Sequence, residues 1–476
     1  MSARALFALF AMCALLAGCA AAPRAPPPIP SSPQIAAVLD NVVGCDGEIG
    51  IVVGILEAGA PPRVVACGGT GIGAARVDAG SIFEIGSLTK VFTGVLLADM
   101  AARGEVALAD PLERYLPQGV HVPGPPWRAI TLLDMATHTS ALPRDPPNLG
   151  NTPRAYATYT TADLYAFLAG YSLPRDPGTR DEYSNLFALV GHALAHRAGR
   201  PYDELLRERV LAPLDLTATG TLVAKDTQGH DDLGDESPDF VVPALVPATG
   251  LRSSANDLLR FAAANMREGD APIDRALHDA RVPQRPIDGT GRYWGLGWGV
   301  EPHGGAVGHQ GATFGYTSYL HVDPQRQRAI VVLANFTGTQ VSTLGAWLLE
   351  PSRHAAPTPS PRRAMYLAWR HSGVDAALDR ARVLGGTEQD VNAVAYRVLV
   401  QRQSADAIAI FAFNARAHPE SPNVYDSLAE AYLVAGRVPE AVGSCTQAVA
   451  MAEEQHDPRL TAFRRQCDEA RARAGN

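Results

Sequence analysis

Apolar positions along this chain follow two periods. Ile51 to Leu56 and Arg63 to Ala66 read as strands joined by the turn Ala58-Gly59-Ala60-Pro61-Pro62. Tyr316 to Val322 and Ala329 to Leu333 read as a second strand pair, joined around Asp323-Pro324. Between the pairs, Leu88 to Ala102, Leu186 to Ala198 and Ala255 to Met266 carry helical patterns. Strands at both ends with helices between predict one sheet built from distant parts of the chain and covered by helices, a mixed α/β (α+β) class. Pro351 to Pro361 breaks the pattern with prolines and small residues and reads as a linker.

Beyond the linker the sequence is helical and repetitive. Ala407-Ile408 and Ala441-Val442 are 34 residues apart, and Phe411 with Cys445 and Ala415 with Val449 share that offset. Tyr425 to Tyr432, followed by Gly436 and Pro439-Glu440-Ala441, resembles a tetratricopeptide repeat, with a degenerate upstream copy that has Arg402 where Gly436 sits. A generic helical bundle is the alternative reading. Two copies and a flanking helix bury little alone, so they are expected to dock on the preceding domain. The resemblance implies a protein partner for this region.

The first residues read as an export signal: Arg4, then an apolar run from Ala5 to Ala17 too short to span a bilayer comfortably. Leu16-Ala17-Gly18-Cys19 resembles the cleavage and lipidation box of bacterial lipoproteins, which implies a membrane anchor on Cys19. Ala20 in the next position implies outer-membrane sorting, facing the periplasm. The Pro- and Ala-rich stretch from Ala20 to Pro33 reads as a tether. Composition is that of a globular protein, 46% hydrophobic and 19% charged, and the net charge of −8 is spread without a basic stripe, which argues against nucleic acid as a partner. Export leaves Cys45, Cys67, Cys445 and Cys467 in an oxidising compartment with three possible pairings. Cys445 and Cys467 lie equidistant from the turn Glu454 to Pro458, so flanking antiparallel helices would bring the sulfurs level, leaving Cys45 and Cys67 as the other pair. Buried free thiols are the alternative.

Candidate chemistry begins with lysine. Of 41 basic residues only Lys90 and Lys225 are lysines. A desolvated lysine can accept a proton, whereas arginine cannot. Ser87 stands one helical turn before Lys90, at the expected start of a helix. Further along come Tyr183-Ser184-Asn185, before an apolar helix, and His309-Gln310-Gly311, at the start of a Gly-rich strand. Each is a weak signal alone. His303, His309 and His321 lack metal-ligand spacing with carboxylates, so no zinc site is read.

Taken in order, these three elements resemble the Ser-x-x-Lys, Tyr-x-Asn and (Lys/His)-x-Gly set of class C β-lactamases, D-alanyl-D-alanine carboxypeptidases and related esterases. Ile85 to Lys90, Thr137 to Pro143, Thr249-Gly250-Leu251, Tyr293 to Trp298 and Gly308 to Gly311 also resemble that family, over roughly residues 35 to 350. One departure is Ala141, where relatives usually carry Gly; it affects a turn. The resemblance implies an antiparallel sheet sandwiched by helices, a β-lactamase/transpeptidase-like fold. It implies a serine hydrolase acting on ester or amide bonds through an acyl-enzyme on Ser87, with a small-molecule or peptide substrate and no cofactor. Lys90 and Tyr183 are both candidates for the base. Asn185 would position the substrate amide or hold Lys90, and the backbone N–H groups of Ser87 and Ala312 would form the oxyanion hole beside Gly311. Efficient class C β-lactamases have lysine where His309 stands, and neutral imidazole binds a carboxylate less strongly, which argues against strong β-lactam turnover. A penicillin-binding or sensor module, and a scaffold acting through the repeats, are the competing readings. The expected organisation is signal 1–19, tether 20–33, hydrolase domain 34–350, linker 351–363 and helical domain 364–476.

Overall fold

A computed structural model describes residues 27–302 and 305–474. The signal, Cys19, the first half of the tether and His303 lie outside the described residues. Ten strands are described: β1 Gly50–Leu56, β2 Arg63–Gly68, β3 Phe83–Glu84, β4 Arg252–Ser253, β5 Arg285–Pro286, β6 Tyr293–Trp294, β7 Gly299–Val300, β8 Val307–Ala312, β9 Thr317–Asp323 and β10 Arg328–Ala334. Eight form one antiparallel sheet in the order β2-β1-β10-β9-β8-β7-β6-β5, and β3 pairs with β4 apart from it. The longer helices of the layers on the sheet's two sides include α1 Ser32–Val43, α2 Thr89–Ala102, α3 Ala188–Ala198, α4 Ala255–Met266 and α5 Gln340–Leu349. The antiparallel sheet sandwiched by helices is thus the fold.

Strand β1 reads Gly-Ile-Val-Val-Gly-Ile-Leu and is buried throughout. The period of two explains this, since successive side chains enter opposite layers. Val52 and Leu56 join a core with residues of α2, α3 and α4, while Ile51, Val53 and Ile55 join one with α1 and α5. Strand β10 divides likewise, with Val331 and Leu333 on one side and Ile330 and Val332 on the other. Each such burial stabilises by about 1.5–3 kcal/mol.

The segment 351–360 carries no helix, and six helices follow: α6 Pro361–Leu384, α7 Glu388–Val400, α8 Ser404–Ala417, α9 Pro422–Val434, α10 Val438–Glu454 and α11 Leu460–Ala474. Helix α6 bends at Gly373. Successive helices from α7 onward pack on one another. The turn from α9 to α10 places Gly436 at φ 74°, and Arg402, its counterpart between α7 and α8, adopts φ 61°. Both turns therefore carry a left-handed residue, at a cost of about 1–2 kcal/mol on the arginine. Cys445 on α10 and Cys467 on α11 form one disulfide, and Cys45 and Cys67 the other, tying the end of α1 to β2. The helices do dock on the first domain: Arg363 donates to the Val43 carbonyl, Arg362 pairs with Asp232 at 2.6 Å, and Arg397 pairs with Asp235.

Candidate active site

Strand β3 runs into a 3-10 turn, Gly86–Leu88, that opens α2. One turn then places Lys90 Nζ 3.0 Å from Ser87 Oγ. Lys90 is wholly buried, and Nζ has two further neighbours, Asn185 Oδ1 at 2.9 Å and the Ala248 carbonyl at 3.2 Å. Burial, with the charge of Arg144 adding, holds its pKa well below the ordinary lysine value, against a smaller opposing pull from Asp145. In its unprotonated form the amine has two N–H groups and one lone pair. The two carbonyl oxygens only accept, so they take both N–H groups. The lone pair is left for the Ser87 proton.

Asn185 opens a 3-10 turn ahead of α3, where Ser184 accepts the Leu186 N–H. Its amide orientation is decided by Asp145, whose carboxylate accepts from Asn185 Nδ2 at 2.8 Å. Oδ1 must then face Lys90. Of the two contacts expected for Asn185, the one to Lys90 is made at 2.9 Å. The chain of contacts runs Asp145, Asn185, Lys90, Ser87, and Asp145 is a positioning residue that sequence reasoning missed. In Asp145→Leu the Asn185 amide is free to turn over, and kcat for an activated ester falls about 10-fold with KM nearly unchanged, the equivalent of one charge-assisted hydrogen bond. Equal kcat in the two proteins would remove Asp145 from the mechanism.

Tyr183 faces the same serine. Its ring centroid lies 4.9 Å from Lys90 Nζ, it lines the same cleft as Ser87, and burial pushes its pKa up to about 12, against a smaller opposing pull from Ser87. His138 braces the ring from behind at 4.4 Å and contacts Trp294 at 4.6 Å. His138 Nδ1 accepts the Ser184 N–H, so its proton sits on Nε2, which is buried without a partner. Ala141 adopts φ 64°, so the departure from Gly does fall on a turn that glycine would enter without strain.

The opposite wall is β8. Strand β7 pairs only with Val307 and Gly308, leaving the end of β8 open on that side, toward the cleft. A Cβ on Gly311 would lie 2.0 Å from the Ile85 carbonyl, and one on Gly86 2.8 Å from Ala312 N. Two glycines thus let the nucleophile turn and β8 touch, bringing Ser87 and Ala312 together as the oxyanion hole requires. His309 lies between, its ring 6.1 Å from that of Tyr183. Its Nδ1 donates to the Gln310 carbonyl at 2.7 Å, and burial lowers its pKa to about 3. The imidazole is neutral at neutral pH.

Ser87, Tyr183, Asn185, His309, Gly311 and Ala312 all line one open cleft of about 1240 Å³. The sequence signal for Asp145 was its place two residues after Thr137 to Pro143, and for Ala248 its place just before Thr249-Gly250-Leu251. Neither carries a motif of its own.

Residues 37–351 match the family model described as Beta-lactamase. The D-alanyl-D-alanine-carboxypeptidase/endopeptidase AmpH of Escherichia coli K12 is 29% identical over 53% of this chain and 70% of its own length. A β-lactamase of Pseudomonas fluorescens is 27% identical over 54% of this chain and 79% of its own. Among solved structures, the β-lactamase/D-alanine carboxypeptidase of Pseudomonas syringae superimposes with a TM-score of 0.55 at 23% identity, over 68% of this chain and 97% of that one. The corresponding protein of Yersinia pestis gives 0.56 at 21%, over 67% and 98%.

Proposed function

The chain belongs to the β-lactamase family, and from that premise we propose that it is a serine hydrolase that cleaves ester or amide bonds by acyl transfer to Ser87. The observation that carries this reading is the buried Lys90 Nζ, held by the Asn185 and Ala248 carbonyl oxygens 3.0 Å from Ser87 Oγ. In the proposed reaction Lys90 takes the serine proton as Oγ attacks the carbonyl carbon. The backbone N–H groups of Ser87 and Ala312 hold the oxyanion. Tyr183, a protonated phenol, passes a proton to the leaving group as the carbon–heteroatom bond breaks. Water then attacks the acyl-enzyme, giving one proton to the Tyr183 phenolate, and Lys90 returns the proton it took to Ser87 Oγ as the acyl–oxygen bond breaks.

The D-alanyl peptides acted on by its relatives make cell-wall peptides the first candidate natural substrate, with esters next. The neutral His309 supports weak β-lactam turnover, since it offers no fixed charge to a substrate carboxylate. Export, a lipid anchor on Cys19 at the periplasmic face of the outer membrane, and a protein partner for a tetratricopeptide-like region of α7 to α10 belong to the same proposal.

The test is purified protein carrying Cys19→Ser, given a p-nitrophenyl ester, a chromogenic cephalosporin and a fluorescent penicillin. The expected result is multiple turnovers of the ester, slow turnover of the cephalosporin and a penicillin label that decays. A permanent label with no ester turnover would replace this reading with a penicillin-binding or sensor role. No label and no product would end the hydrolase reading.

A further inference from the structure

Lys225 to Phe240 meets three parts of the molecule at once. Its first residues clamp the approach to the nucleophile. Asp226 Oδ1 accepts the Ile82 N–H at 2.6 Å, and Thr227 Oγ1 donates to the Ile82 carbonyl at 2.6 Å. Lys225 Nζ bridges Glu84, at 3.2 Å, and Asp239, at 2.6 Å. Its middle lies on the turn that follows β8: Tyr316 donates to the Thr227 carbonyl at 2.7 Å, and a Cβ on Gly229 would meet Tyr316 at 2.6 Å. Its last residue, Phe240, packs on Phe314 at 4.9 Å and Tyr156 at 5.6 Å, and the three rings form one wall of the cleft.

The tip of the same segment leaves the first domain. Leu233 is 2% exposed and is buried among residues of α6 to α9. Both flanks are tied down beside it. Asp232 accepts from Ser360 Oγ at 2.7 Å and pairs with Arg362, while Arg397 on α7 pairs with Asp235 and donates to the Gly234 carbonyl at 3.0 Å. A long surface loop owes its order to what holds its tip. Here the tip is held by the C-terminal helices, while below it His230 is pinned to Asn335 and Gly315, and Ser237 to Gly229, and the return limb ends on the aromatic wall.

We infer that the C-terminal helices complete the substrate cleft: Leu233 is a positioning residue through which they hold Phe240 in the aromatic wall, so they set selectivity for substrates with a bulky apolar or aromatic group beside the scissile bond. The inference rests on the hydrolase reading above for its activity arm only.

The test uses the full chain and two esters, p-nitrophenyl acetate and p-nitrophenyl phenylacetate. In Leu233→Asn, KM for the phenylacetate rises about 10-fold, kcat/KM for the acetate stays within about two-fold, and Leu233→Met restores the native value. Amide exchange in residues 238–240 also speeds up, by roughly 10-fold, together with that of the tip. Arg397→Ala gives the same pattern more weakly, which covers the case in which Leu233→Asn does not fold. Equal losses on both esters, or no loss on either, would overturn the inference. So would unchanged exchange at residues 238–240, whatever the activity. A native protein inert toward both esters would sink the hydrolase reading, and the exchange measurement would still decide the coupling.

Discussion

Ser87→Ala turns over p-nitrophenyl acetate on the order of 10⁴-fold more slowly than the native protein, and it takes no penicillin label. The size follows from what remains. The oxyanion N–H groups and the cleft survive the substitution, so substrate still binds and KM changes little. The route through a covalent intermediate is gone, and water attack assisted by Lys90 alone must replace it. The overall structure survives too, because Ser87 stands at the cleft and fills no core position. Thermal unfolding within about 3 °C of the native protein would therefore be expected, a shift of roughly 1 kcal/mol or less. Ester turnover within 10-fold of native in Ser87→Ala would transfer the nucleophile to another group.

The second large effect is at Lys90. In Lys90→Arg, kcat falls about 10³-fold, the usual span of a positioned general base. A guanidinium keeps its proton at any working pH, and it has no lone pair to offer. It also fixes a permanent charge at a wholly buried position where burial disfavours one. In the native protein the pH profile carries the same signature. Activity needs the unprotonated amine, so kcat/KM rises with pH through the lowered pKa of Lys90 and then levels. No histidine limb appears near pH 6.5, because His309 titrates at about 3 and burial holds His138 well below its ordinary value. Tyr183 stays protonated up to about 12, so the plateau is broad. Stability follows with a definite sign. The folded pKa of Lys90 lies below the unfolded one, so between the two the unfolded chain binds the extra proton. Stability therefore rises with pH across that window. A profile that falls from pH 7 to 9, or a Lys90→Arg protein above one tenth of native kcat, would displace Lys90 as base.

Much of this site was legible because its parts are local. Ser87 and Lys90 share one helical turn, Tyr183 and Asn185 share one short stretch, and His309 to Ala312 lie on one strand. The long strands were legible within a residue or so at most ends, since β1 and β10 are apolar runs bounded by turns. Strands β5, β6 and β7 were not, because two residues carry no period. Asp145 was missed because its meaning is a hydrogen bond to a residue 40 positions away. Leu233 was missed for a related reason. It is one apolar residue among Asp231, Asp232, Asp235 and Glu236, and what buries it is a different domain. From the sequence, His309 is neutral by the ordinary imidazole range; burial, which is tertiary, lowers its pKa further, to about 3.

The sheet's centre also governs when this protein can act. Strand β1 pairs with β10, and Gly50 bonds to Asn335, 285 residues later. Closing so long a loop is slow, and it cannot begin until the second partner exists. A ribosome or a membrane channel that delivers the chain from its N-terminus releases β1 first, apolar on both faces, and β10 long afterwards. Through that interval β1 needs shielding by a holding factor. Ser87 likewise waits for Ala312, which reaches it only on a strand laid against the completed sheet. Acylating power therefore arrives last, after almost all of residues 37–351 have been delivered. A chain still in transit is chemically silent on the side it is leaving.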